Sequence, residues 1–96
     1  MRIALPRAAH RDRREAVLWY ANVSTVAVDG FIEELDLALR YIARYPEGAP
    51  LTQEGWHAKS LRRYPFSVIY EILSDRIRVH AILDQRRDPD SFPEVS

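Results

Sequence analysis

Two stretches toward the C-terminal end of this chain alternate apolar and polar side chains. Phe66, Val68, Tyr70 and Ile72 share one parity of the first, and Ile77, Val79, Ala81 and Leu83 share one parity of the second. A period of two over that length predicts half-buried strands rather than helices. Ser74 and Asp75 alone separate the strands, so a two-residue hairpin loop is the simplest connection. That loop dictates a register in which Ile72 faces Ile77, Tyr70 faces Val79, Val68 faces Ala81 and Phe66 faces Leu83. All large apolar partners then lie on one face of the sheet, and the opposite face is expected to be wetter. The same register pairs Glu71 with Arg78 and Ile69 with His80, and the first of these is a favourable cross-strand charge pair.

The period lengthens toward the N-terminus. Phe31, Leu35, Ala38, Ile42 and Tyr45 recur at spacings of four and three, with Ile32 and Leu39 widening the stripe, which predicts an amphipathic helix ended by Pro46. An earlier helix is expected from about Ala8 to Ala21, with Ala9, Ala16, Val17 and Tyr20 near one face. Asn22-Val23-Ser24 breaks the two, and Ser24 is a candidate N-cap. Arg2 to Leu5 is a candidate first strand closed by Pro6. The segment from Glu47 to Ala58 reads as a loop in which Trp56 is a satellite core residue. Together these elements predict an α+β domain: a helical hairpin packed on one face of a three- to four-stranded, mainly antiparallel sheet.

Length and composition narrow the class. The 96 residues suit a single domain spanning 1–96, and 47% hydrophobic with 29% charged residues at zero formal net charge is the balance of a globular protein. Cysteine is absent, which removes disulfides and thiolate metal sites. No apolar stretch approaches a membrane span and Arg11 to Arg14 interrupt any signal-like region, so a cytoplasmic protein with no membrane partner is expected. Charge is unevenly spread: residues 29–54 carry six acidic side chains against Arg40 and Arg44, whereas residues 59–87 carry seven basic against three acidic. A basic sheet beside an acidic helix follows, to be set against the plainer reading of solvated surface charge. His10, His57 and His80 have no metal-ligand spacing and the three glycines form no phosphate loop, so neither a metal nor a cofactor is expected.

The order of motifs resembles the RelE/ParE superfamily of toxins from type II toxin-antitoxin modules, in particular the ParE-like plasmid stabilisation proteins. The resemblance rests on Trp19-Tyr20 late in the first helix and on Phe31, Glu34, Leu35, Ala38, Leu39 and Ile42 in the second. It continues through Pro46, through Tyr64-Pro65-Phe66 with Val68 and Tyr70, and through Arg86-Arg87-Asp88-Pro89. It spans most of the chain. Many relatives carry His-Gly where this chain has Asp84-Gln85.

The resemblance implies a toxin neutralised by a cognate antitoxin, through an amphipathic helix or an added strand that the basic sheet suggests is acidic. Two mechanisms divide the superfamily: RelE-like members cleave messenger RNA on the ribosome, and ParE-like members act on DNA gyrase. Cleavage requires a proton acceptor, a proton donor and cations around the phosphate. Lys59, Arg62, Arg63, Arg78, Arg86 and Arg87 supply charge, but arginine stays protonated. His80 is the only histidine of the expected sheet and, with Lys59, the weak nuclease candidate; a strand residue opposite Ile69 is its plainer reading. Tyr64 and Tyr70 are possible donors, with Tyr70 on the core parity. Protein inhibition instead requires exposed anchors, for which Arg62, Arg63, Arg78, Arg86 and Arg87 are the candidates. The expectation is therefore a gyrase-directed, non-enzymatic toxin. The alternatives are a ribosome-dependent endonuclease and an inactive domain that only binds antitoxin.

Overall fold

The computed structural model describes residues 1–86 and contains β1 (Ile3–Ala4), α1 (Arg7–Ala21), α2 (Thr25–Arg44), β2 (His57–Ser60), β3 (Phe66–Ile72) and β4 (Ile77–Asp84). The sheet order is β1-β4-β3-β2. The three longer strands are antiparallel, and β1 runs parallel to β4. Both helices lie on one face of this sheet, which is the expected α+β layout with four strands.

Local chemistry sets the helix ends. Pro6, with φ near −62°, stands just before α1 and contributes the carbonyl that receives the His10 N–H at 3.1 Å. Ser24 caps α2, its hydroxyl accepting the Ala27 N–H at 3.0 Å. Phe31, Leu35, Ala38 and Ile42 are buried along α2 and meet Ala9, Ala16 and Tyr20 of α1 over Val68, Tyr70, Ile77, Val79 and Ile82. Two members of the expected stripe lie outside this core. Tyr45 is 51% exposed because its backbone (φ −128°, ψ 70°) has already left the helix, and Ile32 is 38% exposed on the flank of the stripe.

The hairpin follows the expected register near its turn, where the Leu73 N–H donates to the Arg76 carbonyl and Ile72, Glu71 and Tyr70 oppose Ile77, Arg78 and Val79. Beyond that point the register slips by one. Ile69 opposes Ala81, Val68 opposes Ile82 and Phe66 opposes Asp84, so His80 is the extra residue of a β-bulge. The expected pairs Ile69–His80, Val68–Ala81 and Phe66–Leu83 are thereby corrected. One inserted residue flips every later side chain across the sheet. Ile82 turns toward the helices, and Ala81 and Leu83 join Ile69 on the other face, where Trp56 and Ala58 pack against them. That face is consequently dry at its centre, contrary to expectation, and Trp56 takes the satellite-core position. The segment expected to be loop up to Ala58 already becomes strand at His57, through pairing with Tyr70, so His80 is not the sheet's only histidine as expected.

Candidate functional site

The Tyr64-Pro65-Phe66 step is structural. Phe66 is buried, and Tyr64 wedges between α2 and the sheet, donating its hydroxyl to the Ala27 carbonyl at 2.9 Å. Its ring stands edge-on to Tyr20 and Phe31, with centroids 5.1 and 5.7 Å away. Gly30 makes room for the phenol, since a Cβ there would overlap the Tyr64 hydroxyl. This wedge anchors the turn that presents Arg62 and Arg63 to solvent. Arg63 adopts φ near 67°, a left-handed conformation that costs a non-glycine residue about 1–2 kcal/mol. Its guanidinium lies 3.9 Å from Glu34, which is largely buried in α2.

Arg86 is at the same end of the sheet. Gln85 ties the two segments together, its N–H donating to the Pro65 carbonyl at 2.7 Å and its amide reaching Ser60 and Ser67. Arg86 does not project freely: Asp84 accepts from its backbone N–H at 2.9 Å, its Nε at 3.0 Å and its Nη2 at 2.9 Å. The guanidinium also lies over the Trp19 ring at 5.2 Å. The Asp84 carboxylate raises the Arg86 pKa through these hydrogen bonds, and the guanidinium in turn balances the charge of Asp84. Tyr20, beneath Trp19, is pushed above the ordinary phenol range by burial, with Arg86 opposing and Asp84 and Tyr64 adding to the shift. The sequence pointed to Trp19-Tyr20 and to Arg86 separately; the stacking of Arg86 on Trp19, with Asp84 holding the guanidinium, was not legible.

The remaining candidates are dispersed. Arg78 is exposed near the other end of β4, roughly 20 Å along the strand from Asp84, which holds Arg86, at about 3.3 Å per residue. Lys59 points toward α2, with its ammonium 4.4 Å from the Tyr41 ring centroid. His80 lies on the opposite face, stacked on Trp56 at 3.8 Å with Nε2 2.9 Å from Glu71 Oε1. The two nuclease candidates are thus separated by the sheet. Arg87 falls outside the described residues. Tyr70 is core, as its parity implied: it is fully buried, donates to the Pro46 carbonyl at 2.5 Å and stacks on His57. Buried His57 was not singled out in sequence, and its Nδ1 has no hydrogen-bond partner among the described residues.

Between α1 and β4 runs an open groove of about 830 Å³, bordered by Arg11, Asp12, Leu18, Trp19, Asp84 and Arg86. Asp12 spans it, its carboxylate accepting the Ile82 N–H at 3.1 Å. Among the described residues no cluster of His, Asp and Glu is suited to a metal ion, and no helix is long and apolar enough to cross a membrane.

No protein-family model matches the sequence, and no curated protein matches it significantly. Among solved structures, a chain described as the chromosomal ParDE TA system from P. aeruginosa superimposes with a TM-score of 0.63 at 22% identity, over 88% of this chain and 94% of that one. Two helices on one face of a four-stranded mixed sheet, aligned over nearly the full length of both molecules, give this chain the fold of that ParDE-system chain.

Proposed function

We propose that residues 1–96 form the toxin of a type II toxin-antitoxin module, held inactive by a cognate antitoxin in the cytoplasm and arresting growth when free. In this reading it is ParE-like and inhibits DNA gyrase by protein–protein contact, as in plasmid stabilisation systems. The fold shared with a chain of a ParDE system supports the toxin-antitoxin part. The observation that carries the choice of mechanism is the placement of Lys59 and His80 on opposite faces of the sheet. Cleavage at one phosphate needs its cation and its proton acceptor within reach of the same group. Binding needs only anchors, and Trp19 with Arg62, Arg63 and Arg86 are of the residue types that dominate interfaces.

One observation favours the ribosome-dependent endonuclease. Glu71 orients the imidazole of His80 in the way a carboxylate positions a catalytic histidine. The two mechanisms separate in one experiment on one preparation: gyrase supercoiling and translation-coupled RNA cleavage measured side by side. Loss of supercoiling with intact message is the expected result. Codon-linked cuts with normal supercoiling would replace the gyrase reading by the nuclease.

A further inference from the structure

Arg63 is the one residue other than glycine, among the described residues, whose backbone enters the left-handed region, with φ near 67°. Glycine or asparagine takes that conformation at little cost, whereas a long charged side chain does not. A strained backbone persists only where its surroundings fix it, and such residues gather at sites of function. The surroundings do fix this one. The Leu61 N–H donates to the Phe66 carbonyl at 2.9 Å, closing a four-residue turn of Arg62, Arg63, Tyr64 and Pro65. Within the turn, the Tyr64 hydroxyl is bonded to Ala27 of α2, and the Pro65 carbonyl accepts the Gln85 N–H at 2.7 Å.

What this turn presents is an unfilled guanidinium. The Arg63 side chain is 80% exposed, and its ionic partner Glu34, 3.9 Å away, is only 10% exposed. That distance is within ion-pair range but too long for a hydrogen bond, so Glu34 draws the side chain toward α2 and leaves its N–H donors open. The carboxylate gains as well, since a buried charge without a counter-charge is costly. Arg86, at the same end of the sheet, is the contrasting case: Asp84 accepts from its backbone N–H, its Nε and its Nη2.

We infer that Arg63 is the principal target anchor at this end of the sheet, offering its guanidinium fork to a carboxylate of the target protein, and that Glu34 is the positioning residue that holds it ready. This rests on the reading of the chain as a gyrase-directed toxin and names the contact that carries the binding. A planar fork with open donors matches a carboxylate through two parallel hydrogen bonds. A nucleic-acid strand would instead call for a row of cations along its phosphates. Here Asp84 balances Arg86, which leaves Arg62 and Arg63 at this end.

The test measures binding of the full chain to purified gyrase without DNA, by surface plasmon resonance. Arg63→Gly, which keeps the left-handed turn, should weaken binding on the order of tenfold or more, and Arg86→Ala should weaken it less. Arg63→Lys keeps the charge beside Glu34 but not the fork, and should lose several-fold; wild-type affinity in this variant or in Arg63→Gly would overturn the anchor. Glu34→Gln should speed dissociation in the wild-type background and have no further effect on binding in the Arg63→Gly background, because it acts through the guanidinium. A loss that persists undiminished there would refute the positioning role. In the Glu34→Gln background, where no carboxylate is left unpaired, Arg63→Gly should raise Tm by a few degrees as the backbone relaxes; a lower Tm would mean that Arg63 serves the fold. Loss of binding to a DNA oligonucleotide with unchanged gyrase affinity would overturn the proposal in favour of a nucleic-acid contact. Failure of the wild-type chain to bind or inhibit gyrase at all would remove both the anchor and the gyrase reading.

Discussion

Tyr70→Phe isolates one buried group whose ionisation is coupled to folding. The phenol is fully buried and donates to the Pro46 carbonyl at 2.5 Å, linking β3 to the loop that follows α2. Burial, with a smaller contribution from Tyr41, pushes its pKa from 10.0 to about 12. The acid form is the one that fits the fold, so the folded pKa is higher than the unfolded one. The associated stability is fully present below pH 10 and is lost as pH rises toward 12. At roughly 1.36 kcal/mol per pH unit, a shift of this size amounts to about 2–3 kcal/mol, of which about half is lost by the middle of the window. Near neutral pH the substitution should cost about 1 kcal/mol for the hydrogen bond, plus the penalty of leaving the Pro46 carbonyl unpaired. Urea unfolding of both proteins between pH 7 and pH 11.5 gives the comparison. The wild-type chain should lose stability more steeply above pH 10, and the gap between the two should narrow there. Other tyrosines and basic groups titrate in both proteins and cancel in the difference. Parallel pH profiles would refute the linkage of Tyr70 to the fold.

Leu35→Ala should destabilise by about 2–5 kcal/mol, read from chemical denaturation, because Leu35 is 2% exposed at the centre of the α2 stripe. Gly30→Ala should cost about 1–3 kcal/mol by displacing the Tyr64 hydroxyl, and Tyr64→Phe should absorb part of that cost; strict additivity in a double-mutant cycle would show that the contact is not the cause. Asp84→Asn should loosen Arg86 from Trp19 and alter the tryptophan emission relative to an Arg86→Ala control, whereas identical spectra in all three proteins would deny the stacking. Replacing Arg86 and Arg87 by alanine should weaken target binding and His80→Ala should leave toxicity near wild type; a non-toxic His80→Ala protein that still folds would favour the nuclease.

Much of the fold is written in local chemistry. The four-and-three spacing from Phe31 to Ile42, the Ser24 hydroxyl at the start of α2 and the two-residue turn at Ser74-Asp75 each act within a few residues, so they are legible without knowing the rest of the chain. The half-register nearest the turn follows for the same reason. Beyond it the sequence is ambiguous, because Ala81, Ile82 and Leu83 are all apolar and either parity can face the core. Burial of Ile82 against the helices resolves the choice, and the bulge at His80 is its geometric consequence. Strand β2 was illegible because His-Ala-Lys-Ser carries no apolar alternation and becomes strand only by pairing with β3.

The candidate site divides along the same line. Sequence alone determined which residue types are present: the late arginines, the Trp19-Tyr20 pair, and a hairpin with a single histidine. Tertiary structure decided how they combine. It joined Arg62 and Arg63 to Arg86 through Gln85, locked Arg86 between Asp84 and Trp19, placed Lys59 and His80 on opposite faces and opened a groove beside α1. Periodicity constrains which face of its own element a residue occupies, whereas the neighbour it meets across 18 to 70 residues of chain depends on packing between elements, to which the local pattern is blind.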